Sequence, residues 1–292
     1  VLFEKISIIG VGLLGGSLGL AIRERKLAAR VEGFVRRKEA IAECETLGVV
    51  DRASNDLASV LADADLIILC TPVEHMKSLL EPVVSSIKPG AILTDVGSVK
   101  ANVVSELGPI VQSVGARFIG SHPMAGGEKM GAAESRADLF QHAVCALTPT
   151  GSSDIAALNR VTHFWSALGM SVIQLAPQLH DQLVCRASHL PHLVASVLAD
   201  YVLDPKFPEE QRQLCASGFR DTTRVASGPV EMWRGILSEN RENLTADIDA
   251  MIGKLAALKN ALSANDSDAI EMLLKSGHDR RDAWLRQSEE GE

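Results

Sequence analysis

The run Lys5-Ile-Ser-Ile-Ile9 leads directly into Gly10-Val-Gly12-Leu13-Leu14-Gly15. This is a G-x-G-x-x-G spacing set between an apolar strand and an apolar-periodic stretch that ends near Leu27. Few folds accommodate that order. The first glycine allows a tight turn, the second lets backbone approach a pyrophosphate, and the third lets helix and strand pack closely. The helix N-terminus beyond it offers N–H groups and a positive dipole end to phosphate. Gly10, Gly12, Leu13, Leu14 and Gly15 are therefore expected to cradle a dinucleotide.

The following chain keeps the alternation. Val31–Val35 predicts a strand, Lys38–Leu47 a helix, Val49-Val50 a weak strand and Leu57–Ala62 a helix. Asp65–Cys70 is fully apolar, as parallel sheets require. A helix over Val73–Ser85 and a strand over Ala91–Asp95 follow. The pattern predicts an α/β fold whose N-terminal part is a Rossmann-type doubly wound parallel sheet. Phe118–Ser121 adds a strand that hands the chain to a loop at His122, and the loop runs to about Leu139. Val144–Thr148, Ile155–Ala167 and Ser171–Leu175 complete this half. From Ala176-Pro177 onward strands disappear, so a dinucleotide-binding domain is expected over 1–176 and an all-helical substrate and dimerisation domain over 177–292. The helices are predicted over His180–Tyr201, Glu209–Ala226, Val230–Leu262 and Asp266–Gln287. Their apolar three-and-four spacing suits pairing with a second copy, and a homodimer is expected.

Composition narrows the partners. A net charge of -8 excludes a general nucleic-acid or acidic-membrane binder, which needs a basic face. It leaves room for a small anionic substrate held by local arginines. The five cysteines never fall in C-x-x-C spacing, so no disulfide framework or zinc site is expected, and a cytoplasmic protein is. No signal peptide and no membrane span are expected.

Candidate site residues collect at strand ends, where open α/β sheets place ligands. Thr71-Pro72 ends one strand, on the edge where a nicotinamide would lie. Ser98 follows the next, and can also cap the helix that starts near Val99. His122 follows the third, with Pro123 fixing a backbone angle beside it. An NAD-preferring site carries an acid at the end of its second strand, about 20 residues past the loop. Here Val35, Arg36 and Arg37 stand instead. An arginine fork can pair with a 2′-phosphate, which favours NADP. A solvated strand end with one arginine stacked on adenine fits NAD. In the helical half, Ser188-His189-Leu-Pro-His192 sets two histidines three apart, without a third ligand for a metal. Arg220 and Arg224 lie four apart, on one face of a helix and suited to carboxylates, with Asp221 between them. Trp233 is most simply a core aromatic.

Four motifs then occur in order: D-V-G-S-V-K at 95–100, G-S-H-P-M-A-G at 120–126, S-H-L-P-H at 188–192 and G-F-R-D-T-T-R at 218–224. With them the chain resembles the prephenate/arogenate (cyclohexadienyl) dehydrogenase family over nearly its whole length. The resemblance implies that His122 accepts the substrate hydroxyl proton and that Ser98 assists it beside the nicotinamide. It implies that His192 and Arg224 hold the substrate, with Ser188 and Arg220 as further candidates. Glu128, Asp221 and Trp233 match positions that gate or line the pocket in some members. The helical domain of the family makes the dimer, so a partner chain could lend residues to the pocket. No regulatory ACT domain or fused mutase is expected. The implied substrate carries a ring hydroxyl, a ring carboxylate and a pyruvyl carboxylate. Its oxidation needs a neutral base for the hydroxyl proton, a hydride acceptor and cations for a dianion. His122, the glycine loop, and Arg224 with Arg220 would supply them. Prephenate and arogenate, which differ by a keto or amino group on a remote side chain, both remain open. A β-hydroxy acid dehydrogenase would need a catalytic lysine in the helical half, and none is convincingly placed. A non-catalytic NADP-binding module would not need His122 or Arg224.

Overall fold

The structure is a computed structural model that describes residues 1–127 and 129–289. It falls into two compact units, Val1–Arg241 and Glu242–Glu292. The first opens with β1 (Phe3–Ile9), α1 (Leu13–Glu24), β2 (Ala28–Phe34), α2 (Glu39–Thr46), β3 (Arg52–Ser54) and α3 (Leu57–Leu61). It continues with β4 (Leu66–Leu69), α4 (Val73–Leu80), β5 (Ile92–Asp95), α5 (Ala101–Gln112) and β6 (Arg117–Phe118). The six strands are all parallel, in the order β3-β2-β1-β4-β5-β6. The order reverses between β1 and β4, which is where a doubly wound sheet opens its ligand crevice.

Side-chain alternation explains why the central strands are apolar throughout. β4 sends Leu66 and Ile68 into one core, shared with Leu18 and Ile22 of α1. It sends Ile67 and Leu69 into another, shared with Leu61, Met76 and Leu107 of α3, α4 and α5. Each such buried aliphatic side chain contributes about 1.5–3 kcal/mol.

Two expectations change in this half. The third strand lies at Arg52–Ser54, not at Val49-Val50. Both valines are instead core plugs, and α1 packs so closely on them that a methyl group at Gly19 would strike the Val49 carbonyl oxygen. The predicted strand at Phe118–Ser121 is split. Ile119 N–H makes the last parallel bond, to Leu93 O at 2.9 Å. The chain then turns into a second sheet of β7 (Gly120–Pro123), β8 (Val144–Thr148) and β9 (Ser171–Gln174), with α6 (Ile155–Ala167) between the last two. β7 and β8 are antiparallel, β8 and β9 parallel. His122 therefore sits within a strand, paired with Ala146, rather than on a loop.

Helices take over at α7 (Pro177–Val184), where proline occupies the first turn. The expected helix over His180–Tyr201 is interrupted by a π turn at Cys185–His189 before α8 (Leu190–Val202). Pro191 explains this: it has no N–H for the carbonyl four residues earlier, and its ring crowds that carbonyl, so the preceding turn widens. The expected Glu209–Ala226 helix is α9 (Glu210–Gln213), α10 (Ser217–Thr223) and a 3-10 turn at Arg224–Ser227. α11 (Val230–Glu239) stops at the buried Asn240. The expected boundary near Ala176-Pro177 thus marks the change to all-helical chain inside the first compact unit. The second unit holds nearly all of α12 (Arg241–Ser263) and all of α13 (Ser267–Glu289). The turn between them places Asn265 at φ 52°, and Asp266 caps α13 through Ala269 N–H at 3.0 Å.

The glycines separate by what surrounds them. Gly19→Ala should lower stability by about 1–3 kcal/mol or more, since backbone cannot yield to the added methyl. Gly277→Ala, on an exposed turn of α13 with nothing within 4 Å, should raise it by about 0.5–1 kcal/mol. Urea unfolding of both variants checks the pair.

Candidate active site

The glycine loop lies at the crevice. Gly10 has φ 100°, and a Cβ there would stand 2.9 Å from the Cys70 carbonyl oxygen. A Cβ on Gly15 would strike the Gly10 carbonyl oxygen, whereas one on Gly12 meets nothing within 4 Å. The N-cap position of α1 is Gly12, which has no side chain to cap it, and no acid sits in the first turn of the helix itself. The result is an uncapped helix N-terminus facing open space, which fits a pyrophosphate. Thr71, after β4, lies against Gly10, and its buried hydroxyl has no partner. Val35 is 5% exposed and belongs to the core, so it does not face a ribose. Arg36 and Arg37 are the first exposed residues past β2, and among the described residues no ion pair takes them up.

Behind the crevice runs a chain of imidazoles. His122, on β7, is 7% exposed, and its Nδ1 lies 2.9 Å from His180 Nε2. His180 Nδ1 lies 2.8 Å from Asp181 Oδ1. The Asp181 carboxylate also accepts Lys100 N–H at 2.7 Å and Ala101 N–H at 2.8 Å, the amides at the start of α5. A carboxylate only accepts, so His180 carries its proton on Nδ1 and accepts at Nε2. His122 then donates from Nδ1, which leaves its Nε2 lone pair free. Burial holds the His122 pKa well below the ordinary imidazole value, helped by repulsion from His180, Lys100 and His189. The imidazole is thus neutral and aimed, as a base must be.

Beneath it, Lys100 is fully buried and paired with Asp95. Asp95 also accepts Gly97 N–H at 2.9 Å and Ser121 N–H at 3.1 Å. The same pair therefore fixes the Ser98 loop and the strand carrying His122. Ser98 itself is half-buried on that loop.

A cavity of about 610 Å³ extends from Leu13 of the glycine loop to Arg224 and Trp233. Gly126, Gly127, Lys129, Glu134, Arg136 and His192 also line it. His192 stacks on Trp233 with ring centroids 3.5 Å apart and planes 12° apart, and Gly228 leaves no room beside them for a side chain. The cavity thus gathers Leu13, His192, Arg224 and Trp233, making Trp233 a wall residue as well as a packing one. Arg220 and Asp221 sit exposed on α10 and do not line it: the chain passes from α10 into the 3-10 turn at Arg224, so the two arginines part. Ser188 is half-buried in the π turn, outside the lining. Glu128 lies outside the described residues. Sequence reasoning missed His180, Asp181 and Asn240. The adjacent His-Asp pair just past Pro177 was the one local signal. Among the described residues no group of ligands could hold a metal, and no helix is long and apolar enough to cross a membrane.

An open dinucleotide cradle beside a buried neutral imidazole defines the class, an NAD(P)-dependent dehydrogenase. The chain belongs to the prephenate dehydrogenase family. The model of that family's nucleotide-binding domain matches residues 18–174, and the model of its dimerization domain matches residues 176–276. The chain is 32% identical to a prephenate dehydrogenase of Bacillus subtilis over 288 residues, covering 97% of this chain and 77% of that one. Among solved structures it is similar to prephenate dehydrogenase from A. aeolicus in complex with hydroxyphenyl propionate and NAD+. The TM-score is 0.89 at 30% identity, over 95% of this chain and 97% of that one. Arogenate dehydrogenase from Synechocystis gives 0.81 at 30% identity, over 96% and 99%.

Burial also lowers the pKa of His192, and that of His189 to about 4, the latter partly offset by Asp181. Each of the three imidazoles is neutral in the fold but protonates when unfolded below about pH 6.5. Their contribution is complete above that pH. It should fall by about 1.4 kcal/mol per pH unit per imidazole as pH drops from 6.5 toward the folded values. Urea unfolding between pH 7.5 and 4.5, both chosen to bracket that window, should show the loss. A His189→Gln chain should lose less than its parent.

Proposed function

We propose that the protein oxidises and decarboxylates prephenate to 4-hydroxyphenylpyruvate, for tyrosine biosynthesis, with NADP as the favoured dinucleotide. The observation that carries this is the chain His122–His180–Asp181, which leaves a neutral Nε2 lone pair beside a dinucleotide crevice. When bound, the nicotinamide supplies the hydride acceptor. Gly10, Gly12, Leu13, Leu14 and Gly15 hold the pyrophosphate, Thr71 and Pro72 border the nicotinamide, and Arg36 and Arg37 meet a 2′-phosphate. His122 Nε2 takes the proton of the ring hydroxyl, and Ser98 helps to orient that hydroxyl. His180 and Asp181 hold the tautomer and stabilise the imidazolium that forms. Arg224 grips the side-chain carboxylate, with His192 and Trp233 as the wall. The ring carboxylate is left without a cation, since pairing would oppose its departure as carbon dioxide.

Lys129, Arg136 and Arg224 line the cavity, with Lys129 paired to Glu134 and Arg136 to Asp138. Arogenate, which carries an amino group where prephenate carries a keto group, is the second substrate to compare. The functional division falls at 176/177, and the protein works as a cytoplasmic homodimer through its helices. Exposed Ile252, Leu255 and Leu262 on α12, and Met272, Leu274 and Trp284 on α13, support the dimer. Five free thiols suit a reducing compartment.

Steady-state kinetics at the reduced-nicotinamide band test the assignment. His122→Asn should cut kcat by about 10²–10⁴-fold with KM little changed; equal turnover refutes the role. Arg224→Ala should raise the prephenate KM about tenfold or more, and an unchanged KM removes it from the pocket. Replacing both Arg36 and Arg37 by alanine should cost NADP about 10- to 100-fold in kcat/KM and NAD little. Equal losses for both cofactors refute the NADP preference.

A further inference from the structure

What keeps His122 neutral also makes it a poor seat for a proton. Burial, and repulsion from His180, Lys100 and His189, all oppose charge on that ring. The base of the assigned reaction must nevertheless accept a proton. His180 is differently placed. It is fully buried, and its Nδ1 lies 2.8 Å from a carboxylate oxygen of Asp181. A buried cation needs such a partner. His180 Nε2 faces His122 Nδ1 at 2.9 Å, and a centroid separation of 5.1 Å puts both nitrogens on the line that joins the rings. A proton can pass along that line without either ring turning.

The surroundings of the pair point the same way. From β5 and the start of α5 come Asp95 and Lys100, paired with each other. From β8 comes the Cys145 thiol, kept protonated by burial, and from the π turn comes His189, kept neutral by burial. Among the described residues, Asp181 is the one carboxylate in hydrogen-bond contact with either ring. We propose that the positive charge generated in the reaction comes to rest on His180. As His122 Nε2 takes the hydroxyl proton, the proton on His122 Nδ1 crosses to His180 Nε2. The substrate O–H bond breaks, and its electron pair forms the carbonyl as hydride departs to the nicotinamide. His122 ends neutral in its other tautomer. His180 ends as an imidazolium against the Asp181 carboxylate, which keeps its charge. Once product leaves, the proton steps back to His122 Nδ1, and His122 Nε2 releases its own to water. This rests on the prephenate assignment above, and it makes His180 a positioning residue that acts through His122.

His180→Gln separates this transfer from orientation alone. Its amide oxygen can still accept from His122 Nδ1, which keeps the tautomer, but it cannot take a proton. The kcat should fall about 10- to 100-fold, while the prephenate KM and the NADP Kd from equilibrium titration stay near the parent values. In single turnovers, the rate plotted against the deuterium fraction of the solvent should bow in the parent, where two protons move together, and run straight in the variant. Nitrogen NMR of the parent, titrated downward from about pH 6.5, reads the same question without turnover. The first proton added to the pair should leave His180 protonated on both nitrogens and His122 neutral with its proton on Nε2. A parental kcat in His180→Gln overturns the proposal. So does a straight plot in the parent, or an imidazolium found on His122. A parent chain that binds NADP yet is idle with prephenate sinks the assigned reaction instead, and the NMR titration still decides where the charge sits.

Discussion

Asp181 accepts N–H groups from two directions, and the rest of the site depends on that meeting. From one side come the amides of Lys100, the residue before α5, and of Ala101, its first residue, which no partner within that helix can satisfy. From the other comes His180 Nδ1. The carboxylate thereby caps a helix of the sheet domain while standing on the first helix past it. Such a cap contributes about 1 kcal/mol, and the helix dipole adds up to about 2 kcal/mol in a partly buried setting. The same contact decides which nitrogen of His180 bears the proton, and through it which nitrogen of His122 is left bare. One carboxylate thus joins the helical chain to α5 and sets the tautomers of both imidazoles.

The electrostatics around that contact run against the chain as a whole. The protein carries a net charge of -8, yet Lys129, Arg136 and Arg224 line its cavity, the first paired with Glu134 and the second with Asp138. Below the cavity, Lys100 and Asp95 are buried together. A buried ion pair is weak evidence for stability, because desolvation offsets most of the attraction. Here the pair does something else: Asp95 holds Gly97 N–H and Ser121 N–H in place. It locks the Ser98 loop and the His122 strand into one frame, and Lys100 helps to keep His122 unprotonated. Burial and the neighbouring cation favour the neutral form of His122 in the resting state.

How much of this could be read from the residues depends on the range of each interaction. The glycine loop is local chemistry, since a turn, a close approach and a helix start all lie within six residues. The apolar strands announce themselves because a parallel sheet buries both faces. His122 was visible through its motif, but its strand was not: Ile119 closes one sheet and Gly120 opens another, and only pairing with β8, more than twenty residues on, makes that distinction. At the end of the second strand Val35 turns into the core and Arg36 and Arg37 are exposed, a difference of direction that the order of residues alone does not give. The arginine pair assumed an unbroken helix, which the 3-10 turn at Arg224 denies. His180 and Asp181 were out of reach because their partners lie 58 and 81 residues away.

The π turn shows how a single residue type spreads through such a site. An α-helix advances about 100° per residue, so nine residues turn it through about 900°, or two and a half turns. A regular helix would therefore set His180 and His189 on opposite faces. Pro191 withholds an N–H from the carbonyl four residues earlier, and the turn at Cys185–His189 before it is the wider one. The widened turn reduces the rotation between them. Asn240 can then reach the Asp181 carbonyl with one hydrogen and His189 with the other, while His192, beyond the turn, lies flat on Trp233. The S-H-L-P-H motif is thus more than two histidines at a fixed spacing. Its proline sets the rotation that lets one histidine face the chamber wall and the other meet a buried amide.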